Sequence, residues 1–372
     1  MKAKIYIVLM FFLLGCAGSN ILEDNKEVDI EKVFKLEKDK LEQFSIVKKK
    51  KSKPSQKKKI ADQESITKKT KVKTKKEKKK AKKSKRRDEK SQSESQISDQ
   101  QNKNIEAVDI TTSAKPEDHP DYPSSFKKYN ERYEKFWNKH KHILKSGEKY
   151  TFDISWTIFR AGVATIEVVD DIEVAGEDAF MLKAELNSAK YFENIYKLNN
   201  TLRTYVKKEN FFPIKYEMKQ RESGQNVDDV QLFDEKELKT YFYYKRLKKG
   251  KLKKKSEEKF IPRFFTDSFS ALFFVRGLPL KTGYKFGFPM VTRTKVWLLK
   301  AEVIGEERIN IMDQYINTYK VKAVTQFPGV LKKRGDIVFW FSKDQEKRLL
   351  KFEAKIKIGS VKGELIDYTP GK

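Results

Sequence analysis

The chain has 372 residues, 38% of them hydrophobic, and its 82 lysines and arginines against 53 acids leave a formal charge of +29. One cysteine excludes a disulfide framework, and three histidines leave little from which to build a metal centre or a Ser-His-Asp triad. So large a positive charge raises nucleic acid as a partner, and the distribution of that charge argues against it.

Lys2 and Lys4 precede an apolar run from Ile5 to Leu14, too short to span a bilayer and with the proportions of a cleaved export signal. Leu13-Leu14-Gly15-Cys16 resembles the attachment site of a bacterial lipoprotein, although Leu14 is bulkier than the small residue often found there. The expectation is a lipoprotein signal peptide over residues 1–15 and a lipidated Cys16. Ala17 stands where an aspartate would act as a retention signal, so the resemblance implies an outer-membrane, lipid-anchored protein with a periplasmic domain. Two or three acyl chains at about 0.8 kcal/mol per buried methylene would anchor it nearly irreversibly.

Residues 16–123 read as a disordered, Lys-rich linker, because low hydrophobicity with high charge cannot offset the entropy of ordering. Within it Val28, Ile30, Val33, Phe34, Leu36, Leu41 and Phe44 have the spacing of a transient amphipathic helix. From Lys48 to Lys90 there are about 23 basic and 5 acidic residues, so most of the positive excess sits on this tether. That run has no aromatics to stack bases and only two arginines, which argues against nucleic acid and leaves anionic wall polymer, lipid headgroups or solvent as its partner. Fully drawn out, a linker of that length reaches about 330 Å.

Residues 124–146 predict a helical lead-in, with Phe126, Tyr129, Tyr133, Phe136 and Trp137 at helical spacing. The period then changes to two, and residues 147–372 predict an antiparallel β domain. Tyr150, Phe152, Ile154 and Trp156 alternate with polar residues, and similar stretches recur to Leu365. Lys245 to Lys259 reads as a lysine-rich loop interrupting the meander, and Phe265 to Arg276 as a helix capped by Thr266 or Asp267 and ended by Gly277 and Pro279. Roughly ten to thirteen strands make one mostly-β fold, a large sheet curled into a half-barrel or barrel-like shape with one or two helices packed on it.

Three stretches carry a family resemblance: Gly147-Glu148-Lys149-Tyr150 with Trp156 and Ala161-Gly162-Val163-Ala164; Asp267 to Arg276 with Gly283; and Val338 to Asp344 with Leu350 to Glu353 and a final Gly359 to Leu365 strand. Together they resemble the bacterial envelope family catalogued as domain of unknown function number 3108. Leu349 stands where that family commonly has a proline. The resemblance covers Gly147 to Asp367 and, more loosely, is similar to the half-barrels of lipoprotein carriers. It implies a fold and no established activity.

No Gly-rich phosphate loop, His-Glu-x-x-His or Gly-x-Ser-x-Gly is present, and plentiful acids select no catalytic pair. His140 and His142 have no carboxylate or thiol at ligand spacing, so no metal is expected, and nothing implies a cofactor. Asp267, Ser268 and Ser270 suit a helix start, and Ser342 with Asp344 suits a hairpin turn. An aromatic surplus reads either as plain core or as an apolar cavity between sheet and helix, with Phe265, Phe269, Phe273, Arg276, Trp297 and Trp340 as its ligand-binding set. Arg276 would then meet an anionic headgroup at the mouth, or equally an internal Asp. The first expectation is a non-enzymatic outer-membrane lipoprotein whose β domain binds a lipid, lipoprotein or envelope protein. The alternative is a wall-associated tether gripping anionic polymer through the lysine run, and an envelope hydrolase is the weakest of the three.

Overall fold

The computed structural model describes residues 28–48, 115–194, 196–326, 337–355 and 359–372. The residues 1–15 signal, Cys16 and nearly all of the Lys48 to Lys90 run lie outside them.

Period-two burial builds the first half of the sheet: β2 (Lys149–Trp156), β3 (Phe159–Val174), β4 (Glu177–Ser188), β5 (Leu198–Lys207), β6 (Pro213–Glu222), β7 (Gln225–Asp234), β8 (Lys239–Lys248) and β9 (Lys251–Phe260), each antiparallel to the one before. The second half runs β11 (Lys285–Thr292), β12 (Lys295–Ile311), β13 (Gln314–Gln326), β14 (Ile337–Ser342), β15 (Leu349–Lys355) and β16 (Ser360–Thr369). β16 then pairs with β2, joining the halves. A two-residue strand, β10 (Thr266–Asp267), adds to β11 in parallel, and β1 (Ile46–Lys48) adds to β3. The sheet of sixteen strands therefore has β10 at one end and β9 at the other, and no ladder joins them.

Alternation gives the sheet two buried faces. The inner one carries Phe152, Leu182, Phe233, Phe288 and Phe341 and is covered by α3 (Ser124–Lys139) and α4 (Ser270–Arg276). Trp137 of α3 lies with its ring centroid 4.4 Å from that of Phe274 on α4, so the lead-in helix packs directly on the short one. The outer face buries Ile172, Val174, Met181 and Leu232.

Three expectations are corrected. The linker does not run unbroken from 16 to 123: α1 (Ile30–Phe34), α2 (Lys38–Glu42) and β1 lie on the outer face, where Phe44 is 2% exposed and Lys40 pairs with Glu237. The apolar residues read as a transient helix are the cover of an otherwise bare sheet face, a partner that no local pattern announces. Order also resumes before residue 124, with a 3₁₀ turn at Pro116–Asp118 and Tyr122 buried against the carbonyl of Ile261. Lys245 to Lys259 is no loop but most of the β8–β9 hairpin; Tyr241, Phe242 and Tyr244 bury their side chains at its base, and tertiary pairing overrides the lysine content. The helix begins at Ser270 and not at Phe265, because Asp267 Oδ1 accepts the backbone N–H groups of Phe269 (2.7 Å) and Ser270 (2.9 Å) and ends the preceding strand.

Side chains bring the two ends of the sheet together. Thr204 on β5 donates to Asp267 Oδ2 on β10 at 2.5 Å. Arg293, in the β11–β12 turn, places Nε 2.5 Å from Asp229 Oδ2 on β7 and donates its backbone N–H to Gln231. Thr294 donates to Glu257 of β9. The barrel is thus fastened by polar side chains where the ladder is missing.

Candidate functional site

Between α4 and the concave sheet lies a cavity of about 150 Å³. Its helix wall is Phe269, Ala271, Leu272 and Val275; its sheet wall draws on β2 to β5 and β11 to β16. Ser155, Glu185 and Ser268 are the only polar residues apart from Trp156 along it. Glu185 pairs with Lys183, two residues away on the same strand, so its carboxylate lies on the other face and it gives the cavity only main chain. The space exists because the facing strands carry small residues inward: Ala164, Ala184, Ala301 and Ala323, with Ala301 directly opposite Ala323 across β12 and β13. Gly363 seats the Phe352 ring that lines one side, since a Cβ there would stand 2.3 Å from that ring. An apolar space of this size admits an apolar group.

Of the six residues read from the sequence as a ligand-binding set, Phe269 alone lines the cavity. Phe265 is buried against Phe212 and Phe233, and Phe273 packs edge-on against Phe269. Trp297 is half-buried opposite Met290, and Trp340 donates Nε1–H to Glu307. Arg276 is not at a mouth: its side chain is 2% exposed and forms a two-pronged pair with Glu148, Nη1 to Oε2 at 2.8 Å and Nη2 to Oε1 at 2.7 Å. Its other N–H groups reach the carbonyls of Glu346 and Lys347, while Lys347 Nζ donates to the carbonyls of Arg276 and Leu278 at the end of α4. These contacts fasten the cavity's roof to the β14–β15 turn. The alanines were the missed signal, inward-facing small residues at the same level on neighbouring strands.

Two polar clusters lie outside the cavity lining. Glu222 accepts from Tyr196, Asn200, Gln220 and Gln225, and burial pushes its carboxyl above the ordinary range. His140 and His142 give Nε2 to the carbonyls of Phe274 and Lys208, and neither meets a serine hydroxyl among the described residues.

His140 lies flat on Phe274 with centroids 3.6 Å apart, in room left by Gly277, where a Cβ would stand 2.4 Å from Nε2. Burial lowers its pKa to about 4. A carbonyl only accepts, so Nε2 carries the proton of the neutral ring. The unfolded imidazole titrates near 6.5, so between about pH 6.5 and 4 the unfolded state gains a proton that the native state refuses, and stability falls as pH drops. His140→Phe keeps the stack and is expected to lessen the stability lost between about pH 7.5 and 4.5 by about 2 kcal/mol in urea titrations. An unchanged pH slope would contradict the neutral, buried ring.

The model of the family described as protein of unknown function (DUF3108) matches residues 151–366, more than half of the chain. The chain belongs to that family. The matched segment contains α4 and every residue that lines the cavity. No curated protein matches the sequence. Two solved structures resemble it in fold: a beta-barrel-like protein of domain of unknown function DUF1849 from Brucella abortus, with 9% identity over 61% of this chain and 98% of that one at a TM-score of 0.42, and a putative exported protein with a YmcC-like fold from Bacteroides fragilis, with 10% identity over 62% and 99% at a TM-score of 0.29.

Proposed function

We propose that the domain is a non-enzymatic binder of an apolar chain, holding the end of one acyl group between α4 and the curled sheet, and that Cys16 anchors it to the outer membrane. The cavity carries this reading: its lining is almost wholly alkyl and aromatic, and the charged groups buried near α4, Asp267 and Arg276, are already engaged by Thr204 and Glu148. A hydrolase would need an activated nucleophile facing that space; the hydroxyls along it belong to Ser155 and Ser268, while His140 and His142 are bonded to main-chain carbonyls. The docked residues 28–48 change the anchoring geometry. If Cys16 carries lipid, the stretch from 16 to 28 spans at most about 40 Å, which holds the domain near the leaflet rather than on a leash of hundreds of ångströms. The lysine run lies in sequence between β1 and residue 115, so it does not separate Cys16 from the docked residues 28–48.

The test is occupancy. Purified protein is expected to retain a lipid in native mass spectrometry and to bind a fluorescent fatty acid at one site. Ala184→Phe with Ala323→Phe fills the space, and should weaken that binding roughly tenfold or more while leaving the melting temperature equal or higher. Full binding by the filled variant would refute the cavity as the ligand site.

A further inference from the structure

The antiparallel alternation sorts every hairpin to one of two rims. One rim gathers the β2–β3 turn at Thr157 and Ile158, the crossing from β4 to β5, the β8–β9 turn at Lys249 and Gly250, and the β11–β12 turn. The cavity reaches this rim, for Trp156, Gly162, Leu186 and Leu198 lie on it next to those turns. Ile158 is 83% exposed, Phe159 60% and Tyr191 58%, and Leu252 at the tip of the β8–β9 hairpin is 55% exposed.

That hairpin is wrongly charged for its own stability. Its register sets Lys245 opposite Lys254, Arg246 opposite Lys253 and Lys248 opposite Lys251, and like charges facing across a ladder are destabilising. Lys249, Lys251, Lys253 and Lys254 are exposed and have no ion pair among the described residues. Lysines on an edge strand discourage unwanted pairing, but that role asks nothing of β8, which is not at the edge. The opposite rim also exposes Met312 and Tyr315, but its hairpins mix the acids Glu177, Asp178, Glu235, Glu237, Asp313 and Asp344 with cations, of which Lys343 and Arg348 are ion-paired and Lys347 is held by main-chain carbonyls. Among the described residues, a run of lysines without ion pairs lies beside large exposed apolar tips on the first rim.

We infer that this rim is a docking surface for an anionic lipid bilayer, with the β8–β9 lysines on the headgroups and Leu252, Ile158 and Phe159 in the interface. A soluble polyanion would account for the lysines but not for the exposed apolar tips beside the cavity. The inference stands without the acyl-binding reading, and would add to it a route from leaflet to cavity. The Cys16 anchor is compatible in reach: Phe34 packs 6.5 Å from Tyr243, and the six residues from Tyr243 to Lys249 cover about 20 Å, half of what the stretch from 16 to 28 can span.

The test uses the full chain with Cys16→Ser, which removes the only thiol, and a single new cysteine labelled with nitrobenzoxadiazole at Leu252, Ile158 or, on the opposite rim, Tyr315. With vesicles of phosphatidylcholine containing phosphatidylglycerol, probes at 252 and 158 should brighten and shift to the blue, and the probe at 315 should not; pure phosphatidylcholine should leave all three unchanged. Lys251→Ser with Lys253→Ser and Lys254→Ser should cut vesicle partition about tenfold or more. Its circular dichroism should be native and its melting temperature no lower, since repulsion is relieved. Ile158→Ser, in an exposed turn, is the second variant and should lower partition several-fold. The inference is overturned if the 252 and 158 probes stay water-like while the protein still pellets with anionic vesicles, which would assign that binding to lysines of residues 49–114. Heparin shifting the hairpin probe where vesicles do not would overturn it equally, in favour of a polymer site.

Discussion

Glu148→Ala is expected to lower the unfolding free energy by about 3–5 kcal/mol, because it strands a buried guanidinium. Glu148 has no exposed side-chain surface, and besides both prongs of Arg276 it accepts the hydroxyls of Tyr150 at 2.6 Å and Tyr368 at 3.1 Å. Removing it leaves Arg276 with only the carbonyls of Glu346 and Lys347, which cannot neutralise a full charge. Domains keep only about 5–15 kcal/mol in total, so at least about a fifth of the stability hangs on this residue. Glu148→Leu combined with Arg276→Met should cost clearly less than the two single changes added together, since the double variant buries no lone charge. Urea unfolding of the four proteins measures it; a single-variant loss under about 1 kcal/mol would mean that water reaches the guanidinium. The same pair ties the end of α4 to the start of β2, so fatty-acid binding should weaken in the single variant even where it remains folded.

Local rules made much of this molecule readable. Period-two alternation locates the strands from β2 to β8, and the turn residues Ser342 and Asp344 mark a real connection between β14 and β15. What escaped were features decided by distant partners. Phe44 looks like one apolar residue in a charged segment until Tyr241 and the outer face of β3 and β4 are beside it. For Arg276 the sequence leaves a headgroup at the mouth and an internal Asp equally open, and the choice falls to the interior because Glu148, 128 residues earlier in sequence, arrives beneath it. The large aromatics that suggest a cavity fill space, whereas the residues that leave it are Ala164, Ala184, Ala301 and Ala323. Periodicity reports which face a residue occupies. It does not report the combined volume of residues brought level by the register.

The β11–β12 turn provides the second large effect. Arg293 and Thr294 occupy its two central positions with φ of +50° and +63°, a conformation that suits Asn-Gly and is strained for a β-branched threonine. Such strain persists where surrounding contacts over-determine it, and here those contacts are the fastening of the open barrel: Arg293 to Asp229, its backbone N–H to Gln231, and Thr294 to Glu257. Arg293→Asn with Thr294→Gly is the better turn by every local rule, yet it should destabilise the protein by about 3 kcal/mol or more, because Asp229 is 1% exposed and loses its cation. The pH dependence identifies the cause. Burial already pushes the Asp229 carboxyl above the ordinary range while Arg293 opposes the shift, so removing Arg293 raises it further. A carboxyl whose native pKa exceeds its unfolded value of about 3.9 binds a proton preferentially in the folded state, so stability falls as pH rises through that window and recovers on acidification. The difference between variant and parent should therefore shrink as the pH is lowered from about 7.5 to 5, with effects common to both proteins, such as His140, cancelling. A difference that stays constant with pH would place the loss in the turn itself and not at the seam.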